Sequence, residues 1–110
     1  MIVLEQYEGG LKAALQDNAA VKKIYLFGSA LTPRFDEISS DIDVLVETED
    51  ISPEEKGEYL IALWDDLERL FKRKVDLLTE SSLRNPYLER EIVKTRKLIY
   101  DGQTKQISLT

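Results

Sequence analysis

Four segments of the chain have the apolar patterns of β-strands. Residues 22–27 are largely apolar and stop at a Gly-Ser pair, which predicts a buried strand. Residues 41–47 alternate, so that one face is aliphatic and the other mostly acidic, as in a strand with one face toward the core. Residues 75–79 predict a short third strand, and residues 98–100 predict an edge strand.

Three other segments repeat apolar residues at helical spacing, over residues 4–18, 52–74 and 85–97. The middle one is the clearest, because Ser52 is a typical helix N-cap. Its apolar stripe, which includes Trp64, is predicted to pack in the core. The order α-β-β-α-β-α-(β) predicts an α/β (α+β) fold in which helices pack on a mixed β-sheet.

Composition indicates one ordinary domain. The chain has 110 residues, of which 43% are hydrophobic and 33% charged. We expect the domain to span residues 1–102 and the polar residues 103–110 to form a loose tail. The formal net charge of −6 argues against bulk binding to nucleic acid or to an anionic membrane. No apolar run approaches the roughly 20 residues that span a bilayer. The first residues also lack the basic region of a signal peptide, so we expect a cytoplasmic protein.

Two residue types that dominate enzyme chemistry are absent. The chain has no Cys, which excludes disulfides, thiolate nucleophiles and Cys-ligated metals. It also has no His, which excludes a Ser-His-Asp triad, a His general base and a His-ligated metal within this chain. Any metal must therefore be held by oxygen ligands, which favours a hard cation such as Mg²⁺, Mn²⁺ or Ca²⁺.

Three acidic residues stand within predicted strands. Asp41 and Asp43 leave the same face of one strand, roughly 6.5–7 Å apart at the backbone. Asp76 lies in another strand, so the three carboxylates converge if the two strands are neighbours. Gly28 allows a ligand to approach the backbone closely, and Ser29 adds a hydroxyl and an N–H for a phosphate. Such a set is typical of two-metal phosphoryl or nucleotidyl transfer.

Each of these features also has a purely structural interpretation. Alone, the Asp-x-Asp pair favours solvated acids on an edge strand, and a Gly-Ser pair is a common turn. An ion pair with Lys74 or Arg73 would also explain Asp76. The run Lys72-Arg73-Lys74 is more typical of a solvated helix end than of a nucleic-acid patch. Only the combination of acids and turn favours a reaction site.

The same residues resemble a known family. The run Leu26-Phe27-Gly28-Ser29, followed after eleven residues by Asp41-Ile42-Asp43-Val44, resembles the signature of the DNA polymerase β-like nucleotidyltransferase superfamily. Val75-Asp76-Leu77-Leu78 is similar to the third acidic position of that family. The segments 85–92 and 98–100 are similar to the end of its small single-domain branch, the minimal nucleotidyltransferases (MNT). The resemblance covers residues 1–102 and implies a nucleotidyltransferase core.

The resemblance implies a role for each candidate residue. Gly28 and Ser29 would bind the phosphates of a nucleoside triphosphate, ATP in the reading we favour. Asp41, Asp43 and Asp76 would hold two Mg²⁺ ions, and Asp76 would also help to activate an acceptor hydroxyl. That hydroxyl attacks the α-phosphorus, and pyrophosphate leaves.

The loop between the Gly-Ser pair and the paired acids departs from the family pattern. Many minimal members have an Arg-Gly pair there and a slightly shorter spacing, whereas this chain has Ala30-Leu31-Thr32-Pro33-Arg34 and no Gly. Since the loop leaves both strand ends intact, metal binding is expected to survive. Arg34 is either a solvated loop residue or the replacement for the family's triphosphate-binding arginine.

The small size leaves little room for an acceptor pocket. Minimal members are frequently encoded beside a helical HEPN-type partner, and some are antitoxins that adenylylate a tyrosine of that partner. The resemblance therefore implies a nucleotidyltransferase that transfers AMP to a partner protein. Two alternatives stay open, namely a non-catalytic antitoxin that acts by contact and an enzyme with a small-molecule acceptor. The sequence does not identify the acceptor, the nucleotide base or the oligomeric state.

Overall fold

The computed structural model describes residues 1–36 and 38–108. Within them the chain forms one five-stranded sheet in the order β3-β2-β1-β4-β5. Strands β2 and β3 are parallel, and the other neighbours are antiparallel. The strands are β1 (Val21–Phe27), β2 (Ile42–Thr48), β3 (Val75–Thr79), β4 (Lys97–Asp101) and β5 (Gln106–Ile107). The predicted mixed sheet with packed helices is confirmed.

Three α-helices accompany the sheet, namely α1 (Glu8–Leu15), α2 (Pro53–Phe71) and α3 (Pro86–Thr95). The caps of the last two explain where they begin. The Ser52 hydroxyl accepts from the Glu55 N–H, and the Asn85 side chain accepts from two backbone N–H groups of the first turn of α3.

The first helix is shorter than predicted. The predicted helix 4–18 begins with a 3₁₀ turn over Glu5–Tyr7, and α1 ends at Leu15. Asn18 supplies the physical reason for the early end. Its side-chain oxygen accepts from Ala20 N–H at 3.1 Å, and its amide nitrogen donates to Tyr59 O at 2.9 Å. These bonds hold the backbone in a turn.

The sheet is covered on both faces. Helices α1 and α2 pack over Ile24, Leu26 and the aliphatic face of β2, where the predicted core residues Ile42, Val44 and Val46 are fully buried. On the opposite face, Ile92 of α3 packs against Tyr25 and Leu45. Leu45 is therefore buried although it shares its face with the acids, because a helix covers that part of the sheet.

Trp64 does not lie in the core. Its side chain is 44% exposed, whereas Leu63, Leu67 and Phe71 of the same helix are buried. The prediction that the stripe is core is therefore right for these three residues and wrong for Trp64. The indole N–H needs a hydrogen-bond partner and finds it at the edge of the sheet, where Trp64 Nε1 donates to Val75 O at 2.7 Å.

The C-terminal segment is more ordered than expected. Within the predicted loose tail 103–110, residues Gln106–Ile107 form β5 and pair with β4, and Ser108 N–H donates to Ile99 O at 2.9 Å. Positions 109 and 110 lie outside the described residues. Among the described residues, no helix is long and apolar enough to cross a membrane.

Candidate active site

The Gly-Ser turn lies directly against one of the acids. The antiparallel register of β1 and β2 pairs Phe27 with Asp43, so that Gly28 follows at the end of β1. Gly28 has φ +74°, in the left-handed region that favours glycine. A Cβ atom at this position would collide with Asp43 Oδ2 and lie 3.3 Å from Asp43 Cγ. Glycine is thus required twice, for the backbone conformation and for the approach to the carboxylate.

Two of the three acids are side by side. In the parallel register of β2 and β3, Asp43 is the partner of Asp76. Since side chains alternate along each strand, both carboxylates leave the face of the sheet that also carries Leu45. The strands that carry these two acids are neighbours, as the convergence argued from the sequence requires.

Crowding of negative charge perturbs Asp43. Partial burial, together with the neighbouring carboxylates of Asp76 and Asp41, raises the pKa of Asp43 from 3.8 to about 6. Desolvation is the largest cause, followed by the charge of Asp76, a hydrogen bond with Asp76 and the charge of Asp41. At neutral pH the site therefore concentrates negative charge that is only partly solvated, which favours a bound cation.

Asp41 stands slightly apart from this pair. It precedes the first residue of β2, and its charge acts on Asp43. Within residues 1–36 and 38–108, no three acidic side chains are close enough together to form a complete metal-ligand set. The donors nevertheless fit a hard cation, because all are carboxylate oxygens and two of them crowd each other.

Asp76 also has the ion pair that its sequence context suggested. Lys74 Nζ lies 3.7 Å from Asp76 Oδ1; the Lys74 side chain is largely exposed and the Asp76 side chain is half-exposed. Both interpretations of Asp76 are therefore compatible with the structure, since it forms an ion pair with Lys74 and also lies beside Asp43. An exposed pair of this kind contributes little to stability and does not prevent Asp76 from binding a cation.

The turn after Gly28 is a short 3₁₀ helix over Gly28–Leu31, held by bonds from outside it. Ser29 O accepts from the backbone N–H and the hydroxyl of Thr32, each at 3.0 Å. Ala30 is fully buried, and its carbonyl accepts from Ile2 N–H at 2.9 Å. Gly28 itself is exposed and Ser29 is half-buried. The turn is therefore fixed on its inner side and open on the side where a phosphate would bind.

The loop that carries Arg34 is held by Arg73, a contact that the sequence did not predict. The Arg34 side chain is exposed. Arg73 lies with its guanidinium carbon 4.9 Å above the Phe35 ring and donates to Asp36 O at 3.3 Å. That carbonyl also accepts from Ser40 N–H at 3.0 Å, one residue before Asp41. The interpretation of Arg73 as part of a solvated helix end is wrong; no local pattern marks a contact across 37 residues.

Asp43 and Asp76 are half-buried at the beginning of β2 and β3. Two grooves of about 360 Å³ lie elsewhere, around Leu15, Gln16, Tyr100 and Lys105. These residues adjoin the beginning of β1, whereas the Gly-Ser turn and Asp43 lie at its end. These two grooves are therefore separate from the acids, and the candidate site is identified by its chemistry.

Comparison with known proteins agrees with this geometry. Residues 10–105 match the family model described as Polymerase beta, Nucleotidyltransferase. The chain belongs to this nucleotidyltransferase family. The resemblance inferred from the Gly-Ser turn and the acids is confirmed.

Two relatives come from the archaeon Methanocaldococcus jannaschii, and both are provisionally named as protein adenylyltransferases. One is 41% identical over 81 residues, which cover 74% of this chain and 79% of the relative. The other is 39% identical over 82 residues, with the same coverage of both chains.

Two solved structures of similar fold are toxin–antitoxin complexes. One is described as a tri-AMPylated Shewanella oneidensis HEPN toxin in complex with an MNT antitoxin. Its matching chain has a TM-score of 0.58 and 25% sequence identity. The match covers 91% of this nucleotidyltransferase and 74% of that chain. Another is a toxin–antitoxin complex with AMP-PNP, with a TM-score of 0.60, 27% identity and coverage of 88% and 75%.

Proposed function

We propose that this nucleotidyltransferase transfers AMP from ATP to a hydroxyl group of a partner protein. The observation that carries the proposal is the contact of the Gly28-Ser29 turn with Asp43, with Asp76 beside it on the next strand. A phosphate-binding turn and a pair of crowded carboxylates at one sheet edge provide the parts that nucleotidyl transfer needs.

In this proposal the three acids hold two Mg²⁺ ions. Asp41, Asp43 and Asp76 would supply the carboxylate oxygens that bind these ions. When bound, Mg²⁺ lowers the pKa of the attacking hydroxyl and offsets charge on the attacking and leaving oxygens.

The residues of the chain then have separate tasks. The Gly28 and Ser29 N–H groups and the Ser29 hydroxyl orient the phosphates of ATP, and Arg34 approaches the triphosphate from the loop. The acceptor hydroxyl loses its proton to Asp76 and its oxygen forms a bond to the α-phosphorus. The bond from that phosphorus to the bridging oxygen breaks, and pyrophosphate leaves. The absence of His from the chain is compatible with this chemistry, because a carboxylate takes the proton.

The similar proteins support a protein acceptor. Relatives provisionally named as protein adenylyltransferases cover about three quarters of the chain. A chain of similar fold occurs in a complex that contains an AMPylated HEPN toxin. We therefore propose that the acceptor is a tyrosine of a HEPN-type helical partner, that this chain is its antitoxin and that the reaction takes place in the cytoplasm.

Intact-mass spectrometry of the partner tests the proposal. After incubation with this chain, ATP and Mg²⁺, the partner is expected to gain the mass of AMP. Asp76→Ala should stop the modification and leave the complex intact, because Asp76 acts mainly in the attack step. Asp50→Ala, at an exposed acid outside the site, is the matched control and should leave the modification unchanged.

Two results would contradict the proposal. A partner that is silenced without gaining mass, equally by the wild type and by Asp76→Ala, would mean that the chain acts by contact alone. A partner that neither binds nor gains mass, while ATP is turned over with a small hydroxyl compound, would mean a small-molecule acceptor.

A further inference from the structure

Two side chains of α2 hold the open edge of β3. Trp64 Nε1–H donates to Val75 O at 2.7 Å, and Val75 N–H donates to Glu68 Oε2 at 3.0 Å. Because β3 is at the end of the strand order, these backbone groups point away from β2 and have no strand partner among the described residues. Trp64 and Glu68 are four residues apart on a helix, so both reach the same stretch of strand.

The residue they hold is the one immediately before Asp76. The carbonyl bound by Trp64 belongs to the peptide unit that joins Val75 to Asp76. The preceding unit is held from the opposite side, where Ile42 N–H donates to Lys74 O at 3.1 Å. Val75 itself is fully buried. The backbone that leads into Asp76 is thus anchored from the helix and from the neighbouring strand.

We propose that Trp64 and Glu68 are positioning residues for nucleotidyl transfer. Their two hydrogen bonds to the Val75 backbone, which we call the Val75 clamp, fix the position of the Asp76 carboxylate beside Asp43. The inference rests on the proposed function, which gives Asp76 its task in the attack step. A misplacement of about 1 Å of a reacting group lowers a rate by up to about 100-fold, so a clamp one residue away has a direct effect on turnover.

The position of Trp64 supports this role. A tryptophan kept only for hydrophobic burial would be enclosed, whereas this side chain is 44% exposed and directs its one polar group at the strand. A clamp that serves only the fold would change stability without changing the balance of kinetic constants. The two roles therefore differ in a measurable way.

Trp64→Phe is the test, since it keeps an aromatic ring and removes the N–H donor. We expect kcat for AMP transfer to fall about fivefold to tenfold, the effect of one lost hydrogen bond, while KM for ATP stays within about twofold. Ile61→Ala, at an exposed apolar residue one turn earlier on the same helix, is the matched control and should keep both constants. A Trp64→Phe enzyme with wild-type kcat would overturn the inference, as would equal changes in kcat and KM.

Glu68 provides a second, independent variant. Glu68→Gln keeps an oxygen that accepts from Val75 N–H and should retain kcat, whereas Glu68→Ala should lower it as Trp64→Phe does. Glu58→Ala, at an exposed glutamate of the same helix, should have no effect. If Glu68→Gln and Glu68→Ala reduce kcat equally, the loss of charge and not the loss of the hydrogen bond causes the reduction. That result would contradict the proposed role of the clamp.

A readout without turnover separates this inference from the proposed function. Trp64 is the only tryptophan of the chain, so tryptophan fluorescence reports on the surroundings of the clamp. Mg²⁺ added to the wild-type protein should shift the emission, and Asp76→Asn should abolish the shift. If no partner is modified but the shift is present, the proposed function fails and the clamp stands. If AMP transfer occurs and Mg²⁺ leaves the emission unchanged, the clamp is not coupled to Asp76.

Discussion

Single residues at the candidate site are constrained by two opposing requirements. In the proposed function, Asp43 must be close enough to the Gly28 backbone and to Asp76 to share a ligand with them, and this closeness disfavours the charged form of Asp43. Burial and the two neighbouring acids raise its pKa to about 6. A carboxyl with a raised pKa lowers the stability of the folded state when it ionises, so function and stability are in conflict at this residue.

The conflict predicts how stability depends on pH in the absence of metal. The stabilising contribution of protonated Asp43 is fully present below its unfolded pKa of 3.8 and is lost as the pH rises through about 6. Asp43→Asn removes this loss because the amide does not ionise. In a chelator, the variant should therefore melt above the wild type at neutral pH, and the difference should shrink as the pH falls toward 4.

Calorimetry of both proteins across that pH range measures the difference. Asp50→Asn, at an exposed acid, controls for the removal of one negative charge and should show no such trend. An Asp43→Asn variant whose melting temperature lies a constant amount from that of the wild type at every pH would contradict the assignment.

At the scale of elements, the site depends on contacts between segments that are distant in the chain. The loop between β1 and β2 carries Arg34 and leads into Asp41, and beyond Leu31 its described residues form no helix or strand. Arg73, just after α2, holds it through the Phe35 ring and the Asp36 carbonyl. The end of one helix therefore helps to decide where the loop of the active site lies.

We expect Arg73→Gln to loosen this loop. The variant loses the cation above the Phe35 ring and the bond to Asp36 O, each worth about 1 kcal/mol or less at a half-exposed site. Exchange of the Ser40 amide, followed by NMR, should become faster, and KM for Mg·ATP should rise about twofold to tenfold.

Lys72→Gln is the matched control for that experiment, because it removes the same charge from an exposed neighbour that makes none of the loop contacts described above. The same rise in KM for both variants would mean that net charge, and not the hold on the loop, affects ATP binding.

At the scale of the whole molecule, the sheet carries the acids of the proposed cation site at one end. Ligands that bind only the folded state stabilise it by mass action. At about ten times the dissociation constant, Mg²⁺ with ATP should add about 1.4 kcal/mol, which corresponds to a rise of about 5 to 10 °C in melting temperature for a domain of this size.

The double variant Asp41→Asn, Asp76→Asn should change the melting temperature in the opposite way, with a gain in the absence of metal and no gain from ligand. It should melt above the wild type without metal, because two repelling charges are gone, and it should lose the rise on addition of Mg²⁺ and ATP. A double variant that melts below the wild type and keeps the full rise would show that the acids do not share a site.

The local pattern of the sequence determined most of the elements and the identity of the candidate residues. Some structural features depend only on a few neighbouring residues and can be predicted from the sequence. They include the alternation in residues 41–47, the helix caps at Ser52 and Asn85 and the backbone conformation of Gly28. Local pattern failed where a competing local bond intervened, as at Asn18, which ends the first helix early.

Only the tertiary structure decided how those parts meet. The parallel pairing of β2 with β3 places Asp43 beside Asp76, and no short-range periodicity encodes that register. The hydrogen bonds from Arg73 to Asp36 O and from Trp64 to Val75 O likewise join residues that are 37 and 11 positions apart. Helix and strand patterns come from interactions within one or two turns, whereas the site arises from hydrogen bonds and charges between elements that approach one another only when the core packs.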